Sequence, residues 1–468
     1  MSRINTNVSS LIAQRVLKRN NDDLNLSLER LSTGLSINKG ADNPAGLIAS
    51  ENLRSEKAGI VQAIDNAGRA ANIIGTAEGG LSEVSSLLTE LQNLVSQASN
   101  SGGLSKEELA ANQLQVDSIL QTINRLSQST AFQGTKLLNG NYSYTTSGVT
   151  STSFNNVQIN SARIPDGATV NVVVQVVASA QTGTITYSGG TITGAAGATL
   201  EVAGNTGTEQ LSFASGTTVS DIAAAINAVT TATGVSAVVS GADLAVTSTG
   251  FGASQFVSLQ TIAGSFTASD TKDYGQDAQV KINGADAQAD GARISYRSSN
   301  LDVEFELDPT FNLPGSDSFF VTGGGATFAL GSKVTEADKA SLGIASVSTG
   351  SLGDSTAGFL SELASGGNAN LNSSNLVTAQ QVIDKAIKQV SQLRGRLGAF
   401  QKFTIGSTIN SLGVAYENAS AAESAIRDTD FAEETAKLTR SQILSQAATT
   451  VLTQANSSPQ AALFLLQQ

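Results

Sequence analysis

The stretch from Ala425 to Gln468, AIRDTDFAEETAKLTRSQILSQAATTVLTQANSSPQAALFLLQQ, constrains this chain more than any other. It reads as one long helix. Asp430 followed by Glu433 has the form of a capping box, in which a short oxygen side chain meets orphan backbone N–H groups and the glutamate reaches back. Glu433 and Glu434 also place negative charge at the positive end of the helix dipole. Beyond them Leu438, Leu444, Ala448, Val451 and Ala455 keep to one side of a 3.6-residue helix, with Thr, Ser and Gln elsewhere. Pro459 disfavours helical geometry at Ser458 and marks a stop, after which the apolar tail Ala461–Leu466 could restart a turn. A stripe this narrow, made of Leu, Val and Ala, suits a neighbouring helix better than a globular core.

The other end of the chain offers such a helix. Ile4, Val8, Leu11 and Leu17, then Leu24, Leu28, Leu31 and Leu35, recur at threes, fours and sevens. If all of it is helical, about 35 residues span roughly 50 Å. The stripe positions of the two arms, chiefly Leu24, Leu28, Leu31, Leu35, Leu438, Leu444 and Val451, are therefore the candidate interface residues.

Between the arms the pattern changes twice. The cluster SINKGADNPAG is a turn rather than a ligand loop. From Leu53 a helical pattern resumes and carries Leu81, Val84, Leu88, Leu91 and Val95 at alternating threes and fours, adjusted around Gly79-Gly80. Leu88, Leu91 and Val95 join the interface candidates. A third helix spans Ser105 to about Thr130. From Tyr142 to about Gly353 the chain is rich in Gly, Thr, Ser and Val, with alternating runs that read as strands. Within that region Thr199–Ile262 reads as a compact unit with a short helix at Val219–Val229. Helices return from Asn375. The fold class is α+β and multidomain: long N- and C-terminal coiled-coil arms that pair, and a β-rich inserted centre.

Composition removes most chemistry. The chain has 468 residues, no Cys, no His, no Trp and a single Met, which excludes disulfides, Cys- or His-ligated metals and His-based nucleophilic triads. A net charge of −12 opposes sequence-independent nucleic-acid binding, and no apolar run is long enough for a membrane span. Gly79-Gly80 and Gly323-Gly324-Gly325 lack the lysine and the strand-to-helix setting of a phosphate loop. Asp428, Asp430, Glu433 and Glu434 read as helix capping rather than a metal cluster. No catalytic, cofactor or metal site is expected. The first residues lack the apolar core and cleavage site of a secretory signal.

The two ends carry a resemblance. Ile4-Asn5-Thr6-Asn7, the run Leu28-Glu29-Arg30-Leu31-Ser32-Thr33-Gly34-Leu35 and Ala41-Asp42-Asn43-Pro44-Ala45-Gly46 at one end resemble bacterial flagellin. So do Glu423–Ala432, Gln454-Ala455-Asn456 and Pro459-Gln460 at the other, and Asp221–Asn227 with Gly234-Val235 is similar to the small insert of flagellins and hook proteins. The resemblance implies a non-enzymatic subunit that polymerises head to tail into the flagellar filament for swimming, its terminal helices folding on assembly. It further implies an inner-tube helical part (1–42 and 425–468), a helical bundle with a β-rich portion (43–178 and 272–424) and a solvent-facing β/α insert (179–271). The implied partners are other copies of the chain, hook-associated junction and cap proteins, an export chaperone and the flagellar type III export apparatus. The implied location is outside the cell, reached without a cleaved signal. A hook–filament junction protein of the same family and a coiled-coil surface adhesin are the alternatives. Glu90 and Gln92 depart from the arginine-bearing surface of receptor-stimulating flagellins.

Overall fold

A computed structural model describes residues 6–100, 103–165, 167–192, 197–373 and 375–465, with side chains as far as Ser457. Ile4 and the side chains of the Ala461–Leu466 tail lie outside the described residues. In chain order the helices are α1 (Val8–Thr33), α2 (Pro44–Ala98), α3 (Lys106–Ser129), α4 (Val219–Ala228), the short α5 (Thr230–Thr233), α6 (Leu376–Ala399), α7 (Ser407–Arg427) and α8 (Phe431–Leu465). A π-helical segment, Phe400–Gly406, joins α6 to α7.

The chain divides into two compact units. One holds residues 1–68, 330–338 and 405–468, and the other holds 69–329 and 339–404. The first boundary falls inside α2, which runs unbroken from Pro44 to Ala98.

In the first unit α1 and α8 pair antiparallel. Asn7 caps α1 by accepting from the Ser10 N–H at 3.0 Å, and Asp430 caps α8 by accepting from the N–H groups of Ala432 at 2.8 Å and Glu433 at 3.1 Å. Gly34 closes α1 in the left-handed region, φ 73°, with its N–H on the Arg30 carbonyl. There the backbone of Leu35 bridges to Asp428, and Ser36 donates to the Arg427 carbonyl at 2.7 Å, tying the bases of the two arms together. Pro459 does not end α8: the helix continues through it to Leu465.

The second unit contains a helical layer and two β-rich cores. Gln92 donates to Asp384 at 3.3 Å and Arg394 to Glu78 at 2.8 Å, which ties α2 to α6, while Asn112 of α3 donates to Gln97 at 3.2 Å. Ser105 and Glu108 form a reciprocal capping box that starts α3. A five-stranded antiparallel sheet runs in the order Ala285–Asp286, Gln279–Ile282, Val170–Ala178, Gly315–Gly324, Tyr144–Ser147. A four-stranded sheet runs Gln288–Asp290, Arg293–Arg297, Leu301–Leu307, Phe154–Ala162. Alternation sends Val172, Val174 and Val176 into their common core, where Phe154 meets Phe305 and Phe319 edge-on at 5.3 and 5.5 Å.

The insert has its own core. Its strands form a three-stranded sheet (Thr184–Tyr187, Asp243–Ser248, Val235–Ser240) and a four-stranded sheet (Lys272–Tyr274, Phe256–Gly264, Ala198–Gly204, Thr208–Phe213). Ile222 and Ile226 of α4 pack between them with Leu200, Val246 and Val257. Backbone bonds between Gln181 and Gln276, at 2.8 and 2.9 Å, clasp the two chain crossings into the insert.

Candidate assembly surface

The α1–α8 pair is held by a seam that is thinner and more polar than its leucines suggest. On α1 a row of residues turned from solvent, Ser10, Ala13, Leu17, Asn20, Leu24, Ser27 and Leu31, recurs at alternating spacings of three and four. On α8 they are Glu434, Leu438, Ser441, Ser445, Ala448, Leu452 and Ala455, spaced the same way. Hydrogen bonds fix the register at both ends and the middle. Asn7 donates to the Ala455 carbonyl at 2.8 Å, Ser10 to Asn456 at 2.7 Å, Ser445 to Asn21 at 2.8 Å, and Ser27 to the buried Glu434 carboxylate at 2.6 Å. Arg30 and Lys437 lie 3.8 and 3.6 Å from the other oxygen of Glu434.

This arrangement divides the expected interface residues into three groups. Leu24, Leu31 and Leu438 turn toward the seam, and Leu35 sits in the bridge at the base of the arms. Leu28, Leu444 and Val451 do not share that face; they are 46%, 47% and 58% exposed, because the repeat that turns inward is carried by Ser27, Ser441, Ser445 and Ala448 instead. Val8, Leu11, Ile12 and Val16 on α1 and Ile443 on α8 are exposed as well. Leu88, Leu91 and Val95 are 0%, 0% and 2% exposed inside the second unit, so the expectation that they meet a neighbouring chain gives way to a packing role within the subunit. Apolar residues alone do not mark the polar half of the seam, whereas the three-four repeat of small and polar residues does.

Beside the arms, the turn after α1 is built by side chains reaching backbone. Asp42 accepts from the N–H groups of Asn38 at 3.0 Å and Lys39 at 2.8 Å, which lowers its pKa, and Asn43 accepts from Gly46 at 2.9 Å to start α2. Ion pairs then join α2 to α7: Lys57 to Glu423 at 2.7 Å and Arg427 to Glu51 at 3.1 Å. The hydrogen bond to Glu423 raises the Lys57 pKa. The acidic cluster at the start of α8 is dispersed among separate partners. Asp428 accepts from Ser424, Asp430 caps the helix, Glu433 pairs with Lys437 at 2.9 Å and Glu434 turns to α1. Among the described residues no group of three or more acidic side chains is placed to hold a metal ion, and no helix is long and apolar enough to cross a membrane.

Comparison with known proteins decides what kind of arm pair this is. Residues 4–143 match the family described as bacterial flagellin N-terminal helical region, and residues 380–466 match bacterial flagellin C-terminal helical region. A B-type flagellin of Pseudomonas aeruginosa is 31% identical, with 99% of each chain covered. The chain belongs to the bacterial flagellins. Flagellin B of Vibrio cholerae is 30% identical and polar flagellin F of Vibrio parahaemolyticus 28%, each again over 99% of both chains. Residues 199–250 match the flagellin hook IN motif, within the insert whose separate core is described above. As a flagellin, the chain is a structural subunit of the bacterial flagellar filament, an extracellular polymer, and the junction-protein alternative is not favoured.

Proposed function

We propose that this flagellin polymerises by burying the outward apolar rows of α1 and α8 against neighbouring copies. The observation that carries the reading is the set of large apolar side chains left outside the α1–α8 seam, Leu11, Leu28, Leu444 and Val451 among them. Burying each Leu or Val contributes about 1.5–3 kcal/mol, and a long helix repeats that gain along its length. The seam within one subunit is thin, since much of it is Ser, Ala, Asn and Glu, so ordering the arms is favoured chiefly when neighbours add their contacts. Head-to-tail contacts that do not close on themselves extend into a filament.

In this reading residues 1–42 and 425–468 form the inner part of the filament, 43–178 and 272–424 the next layer, and 179–271 the solvent-facing part. The filament serves swimming motility and the chain has no catalytic role. Its further partners are the hook-associated junction and cap proteins, an export chaperone and the flagellar type III apparatus, through which it leaves the cell.

Seeded polymerisation tests the reading. Purified chain is heat-dissociated, cooled and mixed with short filament fragments, while length is followed by electron microscopy and helix content by circular dichroism. Long filaments with a gain in helix are expected. A chain that stays monomeric on seeds would overturn it.

A further inference from the structure

A groove in the β-rich part of the second unit takes no part in the assembly reading. It encloses about 470 Å³ beside the strands Phe154–Ala162, Leu301–Leu307 and Lys339–Leu342, at the point where α6 passes into the π-helical segment. Although the chain carries a net charge of −12, four of the groove's side chains are cationic, Arg163, Arg297, Lys339 and Arg396, against a single lining carboxylate, Asp302. A concentration of cations in an acidic protein is a local feature that screening does not erase inside a concave site.

Two of the cations are already engaged. Arg297 is shared between Asp302 at 3.6 Å and Glu304 at 3.0 Å, and Lys339 has an interaction of its own. Of the other two, Arg396 lies in the field of Glu304 and Asp302. Arg163 makes no ion pair among the described residues. Arg396 donates through Nη1 to the amide oxygen of Asn160, yet its Nε has neither an acceptor nor contact with water. The Nε is closed off from the groove, so an oxyanion there meets Arg396 only through the guanidinium's accessible N–H groups. Burial lowers the Arg396 pKa against the opposing pull of Glu304 and Asp302, and burial raises that of Asp302, so desolvation sets both shifts.

The rim narrows the class of anion. Phe403, 68% exposed, and Phe400 are both presented by the π-helical segment, a backbone irregularity that recurs at functional sites. Ser161, Ser299 and Ser341 line the same groove, the Ser161 and Ser341 hydroxyls donating to the carbonyls of Ser341 and Ala162 and leaving their oxygens to accept. An aromatic face, guanidinium groups and hydroxyls together suit a ligand with an apolar ring face, a carboxylate and several hydroxyls. We propose that this groove binds an acidic saccharide, its carboxylate on Arg163 and Arg396 and its ring against Phe403.

The test is calorimetric titration of the full-length monomer with trigalacturonate, and in parallel with trigalactose and inorganic phosphate. Trigalacturonate binds, more weakly as salt rises, and trigalactose does not. Affinity falls about tenfold or more in Arg163→Gln and in Phe403→Ala, corresponding to about 1.4 kcal/mol. Arg125→Gln, on α3 and outside the groove, leaves it unchanged. Phe403 is exposed, so its variant keeps the test intact if Arg163→Gln fails to fold, and filaments of Phe403→Ala retain normal length. No binding of trigalacturonate overturns the proposal. So does binding of phosphate at equal strength with no effect of Phe403→Ala, which would reduce the groove to a general anion site.

Discussion

The side-chain amide of Asn7 donates to the backbone carbonyl of Ala455 at 2.8 Å, joining residues at opposite ends of the chain. Ala455 is four residues before Pro459, and a proline has no N–H to give to the carbonyl one turn back. The helix passes through Pro459 because that carbonyl has another donor. The same asparagine accepts from the Ser10 N–H and so starts α1. One side chain therefore caps one arm and closes the break in the other.

Replacing Asn7 with Asp separates these two roles. The carboxylate still caps α1 but cannot donate to Ala455, which leaves a half-buried carbonyl facing a negative charge. The expected cost is about 1–3 kcal/mol, read as a lower temperature of filament dissociation. In a Pro459→Ala background residue 459 supplies the missing N–H, and most of that cost disappears. An undiminished cost in the double variant would show that Asn7 does not act through the proline gap.

Leu31→Asp and Leu444→Asp are expected to fail for different reasons. Leu31 turns into the α1–α8 seam, so a carboxylate there opposes pairing of the arms within the subunit as well as assembly. Leu444 is 47% exposed on the outer side of α8, where Asp leaves the pair intact and places a charge where a neighbouring copy would pack. Both variants should lack filaments in electron micrographs and keep the β-rich cores folded. Only Leu31→Asp should lose helix relative to the parent monomer by circular dichroism. Normal filaments from Leu444→Asp would remove the outer row from the interface.

The glycine pair in the middle of α2 makes a sharper test of packing. A Cβ on Gly79 would meet nothing within 4 Å, whereas one on Gly80 would stand 2.8 Å from Thr130 Oγ1 and 2.9 Å from Leu138 Cδ1. Gly79→Ala should therefore stabilise the protein by up to about 1 kcal/mol through helix propensity alone. Gly80→Ala gains the same propensity but must displace Thr130 and Leu138, and overpacking costs typically about 1–3 kcal/mol. Adjacent, chemically identical substitutions are expected to shift the denaturant midpoint in opposite directions.

What the sequence made legible follows from how local each signal is. Asp430 announces the start of α8 because its partners are the next N–H groups along the chain. The alternation of Val172, Val174 and Val176 likewise needs only the strand's own period. Ser27 and Glu434 are different: each reads as ordinary helix surface until the other, 407 residues away, is placed against it. Pro459 signals a stop in the sequence for the same reason, since the donor that compensates it lies at the other terminus. The burial of Leu88 and Leu91 was not distinguishable from an intersubunit seam, because the three-four repeat records that a face is covered but not which chain covers it. The π-helical segment at Phe400–Gly406 carries no Pro and no periodic break large enough to mark it.

Two carboxylates in the second unit should give opposite pH dependences. Asp354 is buried, which pushes its pKa up, but N–H groups of Ala357 at 2.6 Å and Thr356 at 3.0 Å, and Lys385 at 2.9 Å, more than offset this and hold it below the ordinary 3.8. Its contribution to stability is thus complete above pH 3.8 and is lost as pH falls through the lower folded-state value. Asp302 behaves in the reverse sense. Burial raises its pKa despite the hydrogen bond from Asn160 and the nearby Arg297, so its contribution is complete below 3.8 and is lost as pH rises through the raised folded-state value. Melting temperatures of the parent and two variants, taken from about pH 2 to pH 7, check both signs. Asp354→Asn should melt lower than the parent at neutral pH and lose less on acidification below 3.8. Asp302→Asn should gain on the parent as pH rises above 3.8 and converge with it in acid. If both variants instead ran parallel to the parent across the whole range, neither carboxyl would be titrating with a shifted pKa in the folded chain.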